Sequence, residues 1–349
     1  MPDRCLPVFR GAFLLYDGAA MVLPGVAVMK AAVVKAAGKT PVYTEFEEPV
    51  AADGEIVVDV AAAPLSHVTR ARASGAHYSA ASDFPFVVGL DGVGRRRDGR
   101  RVYFLLPRAP FGSMAQRTVV QQSLCVALPD GIDDVTAAAI AIPAMSSWAA
   151  LRLRARLAAG EVVLINGATG TSGRLAVRIA KHLGARKVIA TGRNADVLSS
   201  LGARGADVVI SLNQDAAALD DAFARQFGGD GVDVILDYLW GPSAECLLAA
   251  ATKAGKTARP MRFVQIGSAS APAIALHYSA LRSKPLELMG SGLGSLPVAL
   301  MLKSIEEVLA AAVAHRFEIA ASAVPLAQVE GRWANESAAT RTVFVTAPD

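Results

Sequence analysis

The sequence is poor in residues that build disulfides and metal sites. Cysteine occurs three times in 349 residues, at Cys5, Cys125 and Cys246, with no CxxC pair and no histidine cluster nearby. This spacing disfavours a disulfide framework and a cysteine-built zinc site, and it fits a reducing, cytoplasmic compartment. The 53% share of hydrophobic residues instead predicts well-buried cores, and the length predicts two domains.

Concentrated charge is also scarce. Lys and Arg number 35 against 31 for Asp and Glu, and only the segment "RRRDGRR" from Arg95 to Arg101 groups basic residues. Because no aromatic residues interleave with these arginines to stack on bases, we interpret the run as a solvated turn. We therefore expect neither nucleic acid nor a membrane as a partner.

The start of the chain lacks an uninterrupted apolar run. Residues 1–28 are broken by Asp17 and Pro24 among others, which excludes a membrane span and argues against a signal peptide. From Met29 the sequence reads as two β-type runs joined by a glycine turn. We expect residues 1–28 to be a poorly ordered extension and Met29 to be the functional start.

The rest of the chain contains two kinds of sequence pattern, one typical of strands and one typical of helices. From Lys30 to about Val126, short apolar runs separated by Gly, Pro and Asp are typical of a mainly β module. Alanine-rich helix formers follow, where Asp133 or Asp134 can cap the first turn and Pro143 should break or kink the helix.

From Val162 onward, continuous apolar runs alternate with helical segments. Strands of this kind are typical of a parallel sheet that helices cover on both faces, which predicts a doubly wound α/β domain. Near the end of the chain, the sequence again has runs of residues typical of β-strands. We expect a β domain over residues 29–148, completed by 291–349, and a nucleotide-binding domain over 149–290.

The stretch "VVLINGATGTSGRLAVRIA" places three glycines between a strand and an amphipathic helix. In that context the glycines permit a tight turn, close approach of backbone N–H groups to a pyrophosphate, and close packing of helix on strand. The helix N-terminus adds free N–H donors for the phosphates. The cofactor-binding residues predicted for this loop are Gly167, Thr169, Gly170, Thr171, Ser172 and Gly173.

The second strand of this domain ends in "ATGRN", which places Arg193 twenty residues beyond Gly173. NAD-binding domains have an acidic residue there, on the ribose 2′-hydroxyl, whereas an arginine attracts a 2′-phosphate. Thr191, Gly192 and Asn194 can donate further hydrogen bonds. The sequence therefore predicts NADPH rather than NADH as the cofactor.

The chain resembles the medium-chain dehydrogenase/reductase superfamily, and within it the zinc-free quinone oxidoreductase and enoyl reductase-like branch. The resemblance runs from Met29 to the end, and "FPFVVGLDGVG", "AGEVVLINGATGTSG" and "GGDGVDVILD" carry it. It implies a Rossmann-type sheet plus a mainly β, GroES-like catalytic domain, in a family where homodimers are common. It also implies further cofactor contacts at Gly267, Ser268, Gly290, Ser291 and Gly292.

Two of the zinc ligands of the alcohol dehydrogenases in this superfamily are missing. Their cysteine position corresponds to Ser66, nine residues before Gly75, and their "GHE" motif reads Gly89, Leu90, Asp91. A leucine cannot bind zinc. Without that Lewis acid, the resemblance favours substrates already primed for hydride, such as quinones and α,β-unsaturated carbonyls.

Candidate catalytic groups are few. Ser66 and His67 occupy the former metal position, and Tyr78 stands where related quinone reductases often place a tyrosine near the nicotinamide. We expect these three residues to polarise the substrate or relay a proton, and Asp91 to tether loops. Two alternatives stay open: an NADPH-binding sensor or RNA-binding protein with little turnover, and an alcohol dehydrogenase-like enzyme.

Overall fold

The computed structural model describes residues 27–75, 83–253, 260–334 and 340–346, together with two short strands at residues 15–16 and 19–20. These two strands, β1 (Leu15–Tyr16) and β2 (Ala19–Ala20), pair antiparallel. Regular pairing with the rest of the molecule extends back to Ala27, whose carbonyl accepts from the Glu48 N–H at 2.9 Å. The predicted extension thus lies mostly outside the described residues.

The β-rich part of the molecule contains two sheets. Its strands are β3 (Val28–Val34), β4 (Val42–Glu47), β5 (Glu55–Pro64), β6 (Phe86–Val87), β7 (Asp91–Arg96), β8 (Arg101–Leu105), β9 (Arg117–Gln121), β10 (Cys125–Ala127), β17 (Ala321–Pro325) and β18 (Arg341–Val345). The larger sheet has the order β10-β8-β7-β5-β18-β17, with β9 also paired to β5, and the smaller one the order β4-β3-β6. The last two strands of the chain thus join the sheet of β5. Two short helices belong here, α1 (His67–Ala73) and α9 (Val329–Trp333).

The second part is a six-stranded sheet in which every pairing is parallel. Its strands are β11 (Val162–Asn166), β12 (Lys187–Gly192), β13 (Val208–Ser211), β14 (Val234–Asp237), β15 (Met261–Gln265) and β16 (Leu286–Gly290). The order β13-β12-β11-β14-β15-β16 reverses direction between β11 and β14, which creates the crevice where such sheets bind ligands. The predicted fold class, a Rossmann-type sheet plus a GroES-like β domain, is confirmed.

Helices cover both faces of this sheet, as the continuous apolar strands predict. They are α3 (Thr171–His182), α4 (Ala195–Ser200), α5 (Ala216–Gly228), α6 (Pro242–Lys253), α7 (Ser279–Arg282) and α8 (Val298–His315). All five residues of β11 are buried, since one apolar cluster lies under α3 and α8 and another under α5 and α6. The first turn of α3 consequently sits at the carboxyl end of β11.

Helix α2 (Asp134–Ala149) joins the two parts. It packs against β5, β7 and β18 on one side and against α3 and α8 on the other. Asp133 caps it as predicted, since its carboxylate accepts from the Thr136 N–H at 2.8 Å. Of the two outcomes expected at Pro143, a break or a kink, the break is wrong: the helix runs through this buried residue, because packing on both sides compensates for one lost backbone hydrogen bond.

Helix α2 continues to Arg154 and, over these 21 residues, is long and apolar enough to cross a membrane. Its most apolar window is, however, 72% buried inside the protein, as in the core helix of a globular fold. The basic run from Arg95 to Arg101 spans the end of β7, an exposed turn at residues 97–100, as predicted, and the start of β8. Arg101 turns inward and binds the Asp134 carboxylate through Nη2 at 2.6 Å, which ties the hairpin to α2.

Candidate functional site

The glycine-rich loop leaves no room for side chains at its two ends. A Cβ atom on Gly173 would lie 2.3 Å from the Gly167 carbonyl oxygen and 2.6 Å from the Ala168 Cα. Gly167 itself has a φ of +91°, and a Cβ there would lie 2.9 Å from the Leu239 Cγ. Only glycine fits these two positions. The loop therefore has the tight turn and close helix–strand packing that a dinucleotide site requires.

A third glycine fixes the loop against the neighbouring strand. A Cβ on Gly192, the last residue of β12, would lie 2.2 Å from the Thr169 Cγ2. Thr169 therefore packs directly over the end of β12 and links the two predicted halves of the cofactor site. Gly170 is the N-cap of α3, and the backbone at Thr171 and Ser172 forms the first helical turn, where N–H groups have no partner within the helix.

Arg193 and Asn194 follow β12 at the same carboxyl edge, and both are exposed. The Arg193 carbonyl accepts from the Asn213 Nδ2 at 2.7 Å, so the backbone of this turn is held in place. Asn194 caps α4, because its Oδ1 accepts from the Val197 N–H at 3.0 Å. The Arg193 guanidinium therefore stands at the rim of the crevice as a cation that solvent and a ligand can reach.

Thr191, in contrast, is fully buried. Its hydroxyl donates to the Asn166 Oδ1 at 2.7 Å and accepts from the Gly167 N–H at 3.2 Å. Because the Thr191 hydroxyl already donates one hydrogen bond and accepts another inside the protein, it is not available as a donor to a ligand at the surface. Its effect on the cofactor site is to hold the Gly167 backbone. Sequence reasoning missed Asn166, its partner, and Asp237, which in turn accepts from the Asn166 Nδ2 at 2.8 Å. The only hint is that a polar residue ends each of the apolar strands "VVLIN" and "VILD".

The remaining predicted contacts lie at the ends of β15 and β16. The Gly267 N–H donates to the Asp237 carbonyl at 3.1 Å, and the Ser291 N–H donates to the Gln265 carbonyl at 2.8 Å. A Cβ on Gly290 or Gly292 would meet no atom within 4 Å, so these glycines border open space. Ser268 and Gly290 come together in the wall of a cavity of about 420 Å³, whose other lining residues include Trp240 and Leu288.

The candidate catalytic residues are only partly brought together. Ser66 is buried and caps α1, where its Oγ accepts from the Thr69 N–H at 3.0 Å and lies 2.9 Å from the Thr69 Oγ1. His67 is exposed in the first turn of that helix. Tyr78 lies outside the described residues. Within the described part of the chain, no three His, Cys, Asp or Glu side chains cluster as a metal site would require.

Asp91 is the most unusual group of the β-rich part. It is 1% exposed, and its Oδ2 accepts from the Tyr103 hydroxyl at 3.0 Å. Burial raises the pKa of this carboxyl to about 6, although the charge of Arg341 and the Tyr103 bond act in the opposite direction. Its Oδ1 has no hydrogen-bond partner among the described residues. Tyr103 lies on β8, the next strand of the same hairpin, whereas Arg341 begins β18, more than 200 residues along the chain, so no local pattern could have linked Arg341 to Asp91.

Comparison with known proteins agrees with this architecture. The zinc-binding dehydrogenase family matches residues 173–311. A probable NADPH-dependent quinone reductase of Emericella nidulans, tdiC, is 27% identical over 87% of this chain and 96% of its own length. The quinone oxidoreductase of Thermus thermophilus, also studied as a complex with NADPH, is 27% identical with a TM-score of 0.75, covering 91% of this chain and 100% of that one.

A probable oxidoreductase of Mycobacterium abscessus is 26% identical, with a TM-score of 0.74 over 92% of this chain and 100% of that one. The match to the zinc-binding dehydrogenases begins at Gly173 and does not include Ser66 or Leu90, the two positions that lack zinc ligands. Fold, glycine loop and relatives together support a place for the chain in the medium-chain dehydrogenase/reductase superfamily, in its quinone oxidoreductase-like branch.

Proposed function

We propose that the protein is an NADPH-dependent reductase that transfers a hydride to a small electrophile, a quinone or an α,β-unsaturated carbonyl, without a metal ion. The observation that carries the proposal is the carboxyl edge of the parallel sheet. There, Gly167, Gly173 and Gly192 stand where any side chain would overlap its neighbours, and the exposed Arg193 follows directly.

The residues at this edge fit a dinucleotide with a 2′-phosphate. The loop from Gly167 to Gly173 and the first turn of α3 would hold the pyrophosphate through backbone N–H groups. Arg193 would pair with the 2′-phosphate, and a charge-assisted bond of this kind discriminates strongly against a cofactor without that group. When bound, NADPH supplies the hydride.

On the nicotinamide side, we propose roles for the residues at the ends of β15 and β16. Gly267, Ser268, Gly290, Ser291 and Gly292 would border the reactive end of the cofactor, where the missing side chains of Gly290 and Gly292 leave open space. This arrangement would let the cofactor approach the backbone closely. The cofactor would then span the sheet edge from Arg193 to these glycines.

The acceptor side supports an activated substrate. Ser66 and Leu90 stand where zinc-dependent relatives carry ligands, and neither residue replaces the thiolate or imidazole that would hold the Lewis acid an unactivated alcohol needs. In a quinone or an enone, charge develops on an oxygen that a single donor can stabilise. We propose His67 and Tyr78 as that donor, with Ser66 placing His67 by capping α1.

The relatives support the same class of reaction, since tdiC is a probable NADPH-dependent quinone reductase and the Thermus thermophilus protein is a quinone oxidoreductase. The partner we propose is accordingly a small-molecule electrophile. We further propose a cytoplasmic location, from the sparse and separated cysteines. Homodimerisation stays a prediction of the family resemblance.

The test is the rate of NADPH oxidation by purified protein with one ortho-quinone, one para-quinone, one enal and one enone, with NADH in parallel. We expect turnover with at least one acceptor and a preference for NADPH. In Arg193→Ala, kcat/KM for NADPH should fall by about 10- to 100-fold while that for NADH stays unchanged, because only the 2′-phosphate loses its partner. Arg97→Ala, at an exposed arginine of the β7–β8 turn, is the control.

Two other outcomes would redirect the proposal. Tight binding of NADPH with no turnover across the panel would favour a cofactor-binding sensor. Stoichiometric zinc in the active protein, together with alcohol oxidation, would favour an alcohol dehydrogenase-like enzyme and would contradict metal-free transfer.

A further inference from the structure

Three polar side chains lie completely buried beneath the glycine loop. Asn166 and Asp237 end the strands β11 and β14, Thr191 is the last but one residue of the neighbouring β12, and each of the three is 0% exposed. The Thr191 Oγ1 donates to the Asn166 Oδ1 at 2.7 Å, and the Asn166 Nδ2 donates to the Asp237 Oδ1 at 2.8 Å. Because buried polar groups are costly unless they are paired, this buried polar triplet acts as one bonded unit.

One end of the buried polar triplet holds the phosphate-binding loop. The Gly167 N–H donates to the Thr191 Oγ1 at 3.2 Å. The carbonyl of the same residue faces Gly173 so closely that no Cβ fits between them. The Gly167 backbone is therefore fixed on both sides, by a hydroxyl on one and by the first turn of α3 on the other.

The other end holds the loop after β14. The Asp237 carboxylate accepts from the Leu239 N–H at 3.0 Å and from the Trp240 N–H at 3.1 Å. Trp240 has a φ of +54°, a left-handed conformation that a tryptophan adopts only when its surroundings hold it there. Burial raises the pKa of Asp237, while its hydrogen bonds with Leu239, Asn166 and Trp240 lower it. The bonds with Leu239 and Trp240 therefore fix the conformation of the loop after β14.

The loop after β14 in turn supports the segment after β15. The Ser270 N–H donates to the Leu239 carbonyl at 2.8 Å, and the Gly267 N–H donates to the Asp237 carbonyl at 3.1 Å. A Cβ on Gly267 would lie 2.7 Å from the Tyr238 carbonyl oxygen, so the two segments are in close contact. An unbroken series of bonds thus runs from Gly167 to the segment proposed to border the nicotinamide.

We infer that the buried polar triplet positions both ends of the dinucleotide site, so that cofactor affinity depends on a hydroxyl and a carboxylate that do not touch the cofactor. The inference rests on the proposed function, since it assigns these residues to the NADPH site. The triplet holds no 2′-phosphate contact, so its loss weakens NADPH and NADH binding by the same factor. Arg193, in contrast, affects NADPH alone.

The experiment is a titration of the protein with NADPH and with NADH, followed by cofactor fluorescence. Thr191→Val keeps the shape of the side chain but removes the Oγ1, which leaves the Gly167 N–H and the Asn166 Oδ1 without this partner. We expect about tenfold weaker binding of both cofactors, and recovery to within about twofold in Thr191→Ser, which retains the hydroxyl. Thr118→Val is the matched control, because Thr118 is a buried threonine of β9 whose hydroxyl has no hydrogen-bond partner among the described residues.

A second variant covers the case in which Thr191→Val does not fold. Asp237→Asn keeps the Oδ1, which accepts from the Trp240 N–H at 3.2 Å, but replaces the Oδ2, which accepts from the same N–H at 3.1 Å, and we expect it to weaken the binding of both cofactors by about fivefold. Wild-type affinity in either folded variant, or a loss confined to NADPH, would overturn the inference. If the wild-type protein itself bound neither cofactor, the proposed function would fail instead.

Discussion

The two ends of the proposed active site are built in different ways. At the carboxyl edge of the parallel sheet, backbone contacts fix the site: Gly167 and Gly173 touch each other, and the polar side chains beneath them are paired. In the β-rich part, the Asp91 carboxylate accepts one hydrogen bond, from Tyr103, and its Oδ1 has no hydrogen-bond partner among the described residues. The cofactor end is therefore determined by short-range sterics, and the acceptor end by a few side chains from the adjacent strand β8 and the distant strand β18.

The largest effect is expected from a substitution at Gly173, whose backbone contact with Gly167 is the tightest in the proposed cofactor site. In Gly173→Ala the new methyl group would overlap the Gly167 carbonyl oxygen, and because both groups belong to the backbone framework, the loop must shift. We expect NADPH binding to weaken by at least about 100-fold, corresponding to about 3 kcal/mol. Fluorescence titration measures this change.

Two alanine variants make this result specific. Gly202→Ala places a methyl group in open space, and it should leave both folding and NADPH affinity unchanged. In Gly170→Ala the new methyl group would meet only the Gly167 carbonyl oxygen at 3.7 Å, an ordinary contact. A loss of NADPH affinity in this variant would therefore come from a clash of the methyl group with the cofactor and not from a shift of the loop. Wild-type affinity in Gly173→Ala would contradict the steric account of the cofactor end.

The acceptor end should reveal itself in the pH dependence of stability. The pKa of Asp91 is raised by burial from 3.8 to about 6, so the folded protein keeps a proton that the unfolded chain has already released. Raising the pH from about 4 to about 6 therefore destabilises the fold, in total by about 3 kcal/mol. Asp91→Asn carries no such group, so its free energy of unfolding relative to wild type should rise across this interval.

Urea unfolding of both proteins at pH 4, 5, 6 and 7 measures the difference. Asp53→Asn, at an exposed aspartate, should track the wild type at every pH. A gap between Asp91→Asn and wild type that stays constant with pH would contradict the assignment of a shifted pKa to Asp91.

Removal of the candidate donors should affect turnover and leave cofactor binding intact. In His67→Ala and in Tyr78→Phe we expect kcat to fall by about tenfold, because assistance by a single positioned acid is modest when the substrate is already activated. The dissociation constant of NADPH should stay at its wild-type value. His277→Ala, at an exposed histidine of the parallel-sheet part, serves as the control, and unchanged kcat in both variants would remove these residues from the proposal.

The smallest effect concerns the helix that joins the two ends. Asp133 caps α2 through the Thr136 N–H, and Asp133→Ala should lower the free energy of unfolding by about 1 kcal/mol without changing the NADPH dissociation constant. Thermal unfolding followed by circular dichroism measures the loss. A large change in cofactor affinity would show that α2 transmits strain between the two ends.

The same contrast explains how far the sequence could predict the molecule. The spacing of Gly167, Gly170 and Gly173 between a strand and a helix, and the position of Arg193, are local patterns, and they predicted the Rossmann-type sheet. The bonds of Thr191 with Asn166 and of Asn166 with Asp237 join three strands that are far apart in the chain, so strand order had to be known first.

The same holds for one of the two groups that act on Asp91. Tyr103 stands on β8, the next strand of the hairpin, but Arg341 begins β18, which only the sheet order brings near. A break of α2 at Pro143 was wrongly allowed for a related reason, since a local rule against proline in helices does not include packing from two sides. The glycine loop and Arg193 could be predicted from neighbouring residues, whereas side-chain contacts between strands that are far apart in the chain could not.

Selectivity for NADPH through Arg193 is tested most directly by the ratio of the NADH and NADPH dissociation constants of the wild-type protein, measured by fluorescence titration at one fixed ionic strength. We expect NADPH to bind at least about tenfold more tightly than NADH, because the Arg193 guanidinium pairs with a group that NADH lacks. Equal affinities, a preference for NADH, or no binding of either cofactor would contradict this expectation.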